Sequence, residues 1–191
     1  LGQRKGETPG ILRNVSISNI IADGIGFWKA DTTASYFKPE HNQCIGVSIV
    51  GMPGYEIENI SLDNIYLQFA GGGTANDAKK EIVNKVATYP EYTNFGITPA
   101  YGINCRYLKG LNLTNINLDY FDKDVRPAIY CSDISDVNIH HLKARSSDTP
   151  HGVLRLKNAT RIFISNCSPG VATSFLTLEG SIKDISLIGN F

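Results

Sequence analysis

The chain has 191 residues, enough to bury a sizeable core as one domain, and its 18 basic and 18 acidic residues leave no net charge. The Lys and Arg are dispersed rather than clustered, so neither nucleic acid nor an anionic membrane is an expected partner. No run of about 18 apolar residues occurs, so no membrane span is expected, and four Cys at irregular spacing suit either redox compartment.

In chain order, one short phrase keeps returning: NVSISNI from residue 14, NISLDNI from 59, GLNLTNI from 110, DVNIHHL from 136 and RIFISNC from 161, with a degenerate copy from 184. Each copy alternates apolar and polar residues, the period of a strand with one buried face. The steps between copies are 45, 51, 26, 25 and 23 residues. Strand-only units at such a period cannot bury their apolar faces singly and must stack. A second strand precedes the phrase in each unit, at residues 45–50, 101–106, 127–132, 151–156 and 174–178. The expected fold is all-β: a right-handed parallel β-helix, a single solenoid over residues 1–191. The two long steps mark loop insertions at residues 22–43 and 69–100, on the side where rigid repeats carry function.

The polar residue that ends each phrase forms the series Asn19, Asn64, Asn115, His141 and Asn166. Asn tolerates the left-handed backbone of a sharp corner and can hydrogen-bond between stacked units, so a structural ladder is the favoured reading over a ligand site. Asn64 and Asn115 are expected to be buried in it. Cys105 and Cys131 occupy equivalent places in neighbouring first strands and are expected to stack in the core. No CxxC or close His/Cys spacing exists, so neither a metal nor a cofactor is expected.

The insertions hold the candidate binding residues. Residues 22–43 carry Trp28, Lys29, Asp31, Tyr36, Lys38, Glu40 and His41. An exposed Trp or Tyr can stack on a sugar ring, although a long loop must also bury its own aromatics. His41 beside Glu40 is either an acid/base pair or a solvated one. Residues 69–100 open with three glycines, continue with a helix expected over about 75–87 whose Ile82, Val83 and Val86 pack inward, and end at Tyr89, Pro90, Glu91 and Tyr92. Arg106, at the end of a first strand, either holds a substrate carboxylate or pairs with Glu91 or another local acid. Asp124 and Arg126 read as a structural ion pair within a charged turn. If the two insertions meet on one side, Lys29, His41, Tyr89, Glu91 and Arg106 line a shared cleft.

The segments PGILRNVSISNI from residue 9, GMPGYEIENISL from 51, YPEYTNFGITPAYG from 89 and DVRPAI from 124 resemble the C-terminal half of bacterial polygalacturonase-like proteins, glycoside hydrolase family 28. The resemblance covers nearly all of residues 9–145. It implies inverting hydrolysis of a galacturonic-acid-containing polysaccharide, a secreted or periplasmic location, and a groove bordered by Tyr89, Glu91 and Tyr92. An inverting enzyme needs an acid and a base roughly 6.5 to 9.5 Å apart, and the family carries them in Asn-Thr-Asp and Asp-Asp motifs followed by Gly-His-Gly and Arg-Ile-Lys. None of the first three motifs occurs in residues 1–191, and the fourth falls over residues 1–3, leaving Arg4 and Lys5 as the nearest cations. The catalytic residues are therefore unassigned and expected upstream. The chain is expected to be the C-terminal part of one β-helix domain that lacks its N-terminal coils, and inactive alone, with acidic polysaccharide or oligosaccharide and those coils as partners. The alternative is a non-catalytic β-helix serving as a carbohydrate-binding or assembly module.

Overall fold

The computed structural model describes residues 8–27, 44–82, 95–147, 150–168, 170, 172 and 174–190. The described chain is all-β apart from one helical turn: β1 Arg13–Ile25, β2 Val47–Val50, β3 Ile57–Gly71, α1 Ala75–Ala78, β4 Ile103–Asp122, β5 Ile129–Ala144, β6 Leu154–Ser165 and β7 Leu176–Ile188. The strands form one seven-stranded sheet in the order β1-β3-β4-β5-β6-β7, with β2 beside the first residues of β4. Every strand pair in it is parallel. Spatial order follows chain order, so each connection returns the chain to the same side before the next strand is laid down.

The long strands are bent, and their bends fall in register. Three columns of left-handed residues cross the sheet. One column holds Tyr107, Asp133, Asn158 and Gly180, and the next Asn14, Asn59, Gly110, Asp136, Arg161 and Asp184. The third holds Asn19, Asn64, Asn115, His141, Asn166 and Gly189. An L-residue in this conformation crowds its Cβ against the carbonyl that follows, a strain Gly escapes and Asn or Asp relieves by local hydrogen bonding. The recurring Asn of the sequence phrase therefore marks a left-handed bend within or at the end of the long strands. Side chains link some corners across strands, Asn64 Nδ2 donating to Asn19 Oδ1 at 2.7 Å and Asn59 Nδ2 to Asn14 Oδ1 at 3.0 Å. Contrary to expectation, Asn64 and Asn115 are exposed. A left-handed corner turns its side chain away from the apolar face, so the ladder runs along the surface.

Between corners, alternation sends apolar residues inward in matched rows. Ile60, Leu111, Val137 and Ile162 align across four strands, as do Leu62, Leu113, Ile139 and Ile164, and all eight are buried. Cys105 and Cys131 face each other in register and are both fully buried. Their mutual hydrogen bond and burial push the Cys105 thiol well above the usual range. Phe69, Tyr101 and Tyr120 pack edge to face, with ring centroids 6.1 and 5.2 Å apart. The Tyr101 hydroxyl donates to the Arg145 carbonyl at 2.6 Å, with the Leu118 carbonyl 3.2 Å away as a second acceptor for the same proton, as a buried phenol requires.

The strands run further than the sequence pattern suggested, β1 to Ile25 and β3 to Gly71. The helix is shorter, a single turn rather than one spanning 75–87. Thr74 and Asp77 close a reciprocal capping box at its start. At its end Arg155 Nη1 donates to the Ala78 carbonyl at 2.5 Å. Ile82, 3 % exposed, lies in the core as its apolar character demanded. Val83 and Val86 lie outside the described residues.

Candidate functional site

Of the residues expected to line a shared groove, Arg4, Lys5, Lys29, His41, Tyr89 and Glu91 lie outside the described residues. Arg106 lies within them. It sits at the close of the first straight segment of β4, its side chain 16 % exposed, with Nε donating to Asp133 Oδ2 at 3.1 Å. Its Nη1 donates to the Ile82 carbonyl, and its guanidinium lies 4.8 Å from the centre of the Tyr107 ring. Of the two roles open to Arg106, pairing with a local acid is the one these contacts occupy, and the acid is Asp133.

Arg106 belongs to a group of cations that pins residues 75–82 to the first segments of β4, β5 and β6. Arg155 forms a two-pronged pair with Glu179, at 2.8 and 2.9 Å, and stacks 4.7 Å above the Tyr130 ring. That pairing holds the Glu179 carboxyl below its ordinary range. Lys157 pairs with Glu81. Burial would push the Asp77 carboxyl up, but hydrogen bonds from Lys80 and Thr74 outweigh it and hold the group at about 2. These cations are consumed by the protein's own carboxylates and carbonyls, so this face offers little to an anionic ligand.

An open cleft lies elsewhere, on the outward face of the last straight segments, and encloses about 760 Å³. Two rows of side chains build it. Tyr66, Asn117 and Lys143 align across β3, β4 and β5, and Gln68 aligns with Asp119 one alternation further along. Arg145 follows β5 directly and takes its place beside Asp119 through backbone N–H donation to the Leu118 carbonyl at 2.8 Å. Lys123, Ser146, Ser147 and Ser168 add polar groups to the lining, and Leu118, Tyr120, Ala144 and Gly170 add apolar surface.

Three cations and one carboxylate therefore share this space. Arg145 is fixed in it, with Nη1 donating to the Tyr120 carbonyl at 2.8 Å, a 3.4 Å approach to Asp119 Oδ1, and the guanidinium 4.9 Å from the Tyr120 ring centre. Its side chain is still 55 % exposed. Lys123 and Lys143 are exposed, and neither forms an ion pair among the described residues. Asp119 also accepts from Gln68 Nε2 at 3.3 Å. The balance is a cationic cleft with an aromatic wall at Tyr66 and hydroxyl groups at its far end. This arrangement can clamp a carboxylate by charge-assisted hydrogen bonds and stack an apolar ring face. A two-carboxylate hydrolysis needs a second acid besides Asp119, and the lining holds none among the described residues.

The sequence reading missed this cleft because it forms only where residues of β3, β4 and β5 lie side by side. The available signal was the repeat itself, since aligning the phrases on Asn115 and His141 sets Asn117 beside Lys143. Among the described residues no group of His, Cys, Asp and Glu could hold a metal ion, and no helix is long and apolar enough to cross a membrane. No protein-family model, curated protein or solved structure matches the chain.

Proposed function

We propose that the parallel sheet is wound as a right-handed β-helix and that its cationic cleft binds an acidic polysaccharide or oligosaccharide. The observation that carries the binding reading is that Lys123, Lys143 and Arg145 line one open cleft in which, among the described residues, Asp119 is the one carboxylate. Carboxylates spaced along a polymer meet the held Arg145 and the two exposed lysines there. The repeated in-register corners support the winding, since a chain that bends at matched positions in every strand returns over itself.

On this reading the chain is the C-terminal part of a secreted or periplasmic glycosidase of the polygalacturonase-like kind, acting on pectin. The motif resemblance of residues 9–145 supports that assignment. The catalytic acid and base are then supplied by preceding turns of the same helix. The single carboxylate of the cleft equally suits a non-catalytic carbohydrate-binding module, and both readings share the same ligand.

Calorimetric titration of the full 191-residue chain with unesterified oligogalacturonides tests the binding. We expect Lys143→Ala to weaken it by about tenfold, with neutral galactose oligomers bound poorly by either protein. Equal affinity for charged and neutral oligomers, or an unchanged Lys143→Ala, removes the basis of the proposal.

A further inference from the structure

One group in the cleft opposes the charge of the rest. Asp119 lines the same space as Lys123, Lys143 and Arg145, and its negative charge lowers the attraction of that space for every anion. It is also the one described side chain of the lining that, when ionised, can only accept hydrogen bonds. Its capacity to accept is not filled. An ionised carboxylate offers about four lone-pair sites, and three protein donors reach this one: the Tyr120 N–H at 2.8 Å, Gln68 Nε2 at 3.3 Å and Arg145 Nη1 at 3.4 Å, the last two long. The side chain is 27 % exposed, so the remaining lone pairs are open to whatever fills the cleft.

Strand register fixes where this acceptor lies. Lys143 of β5 pairs with Asn117 of β4, and Arg145 meets Asp119 two residues further along. Two cations thus stand on the β5 side and the acceptor on the β4 side, about one strand spacing of 4.8 Å away. We infer that Asp119 is the specificity-determining group of the cleft: it accepts hydroxyl donors from the unit whose carboxylate Lys143 and Arg145 hold, and so favours a polyhydroxylated acid over a bare polyanion. This inference rests on the proposed binding function and adds the residue by which the cleft reads a sugar rather than charge alone. A sugar acid carries hydroxyls on the same ring as its carboxyl, and a hydroxyl donating to a carboxylate forms a charge-assisted bond. A polymer of carboxylates alone has no donor to offer, so it meets Asp119 only as a repulsion.

The test titrates the full 191-residue chain with unesterified oligogalacturonides and, separately, with polyacrylate of matched carboxylate number, which at neutral pH has no hydrogen-bond donor. Asp119→Asn should move the two in opposite directions, weakening the oligogalacturonide by about tenfold and strengthening polyacrylate by about threefold. Asp119→Glu keeps the charge but displaces the oxygens, so it should weaken the oligogalacturonide while binding polyacrylate no more tightly than the wild type does. Lys143→Ala should weaken both ligands. If Asp119→Asn tightens both, weakens both or changes neither, the role given to Asp119 is overturned and the cleft stands. Failure of the wild type to bind oligogalacturonides overturns the cleft as well.

Discussion

Asp124 and Arg126 form an ion pair sealed from solvent, with Nη2 2.6 Å from Oδ2 and Nε 3.0 Å from Oδ1. Their side chains are 0 % and 1 % exposed. The remaining valences are filled: Asp124 accepts from the Gly73 N–H at 2.9 Å, and Arg126 Nη1 donates to the carbonyls of Cys44, Thr98 and Ala100 at 2.6, 3.0 and 3.3 Å. The pair thus ties the chain leaving β3 to the chains approaching β2 and β4. A buried charge is tolerated only when so completely satisfied.

Removing one partner strands the other. Arg126→Met should cost about 3 to 5 kcal/mol of stability, read as a lower urea midpoint. Gly73→Ala should destabilise as well, since its Cβ would stand 2.0 Å from Arg126 Nε. A midpoint unchanged in both variants would show the pair to be dispensable.

The corner columns make a conformational prediction. Asn115 has φ 51° and is exposed, so its worth lies in backbone tolerance rather than burial. Asn115→Gly should be nearly neutral, whereas Asn115→Val should cost about 1 to 2 kcal/mol, the strain of a left-handed L-residue. Equal losses in the two variants would point to side-chain bonding instead.

Acid should loosen residues 74–80 before the sheet. Asp77 titrates at about 2 in the folded chain against about 3.9 when unfolded. A depressed folded value means that the stabilisation is full above the unfolded value and declines as pH falls from about 4 towards 2. The difference sets an upper bound of about 3 kcal/mol, which solvent screening lowers. Hydrogen exchange of the Asp77 and Ala78 amides should accelerate in that window, and Asp77→Asn should show the acceleration already at pH 6.

Binding in the cleft should weaken with salt, because its cations are exposed and the screening length falls from about 10 Å at 0.1 M to about 3 Å at 1 M. The chain by itself should release no reducing ends from polygalacturonate, since among the described residues the cleft lining holds one carboxylate, Asp119. Hydrolysis by the isolated chain, lost on Asp119→Asn, would reverse that expectation.

The parallel all-β fold was legible because one physical constraint recurs: alternation buries a face, and a left-handed residue must end it. The series Asn19, Asn64, Asn115, His141 and Asn166 was thereby found, and all five are left-handed. The column through Tyr107, Asp133 and Asn158 was not, because three unlike side chains fill it and Tyr carries no turn signal. The pairing of Asp124 with Arg126 was readable from its two-residue spacing. The approach of Asp119 to Arg145 was not, since it arises only when β4 and β5 lie side by side. The cleft failed to show for the same reason: local sequence records what a residue is next to in the chain, and this site is made across strands.

Among the described residues, and apart from β2 beside the start of β4, each strand pairs only with its neighbours in the series β1-β3-β4-β5-β6-β7. Stability is then a sum of local strand energies and neighbour couplings, as in a one-dimensional chain of spins. Melting should advance from the rims: β1, which exposes Ile17 and Ile20, and β7, which exposes Leu178 and Leu187, fray while β4 and β5 hold. Damage to one strand accordingly spreads to its neighbours and fades with distance, so a ligand held across β3, β4 and β5 rests on the most slowly eroding stretch of the molecule.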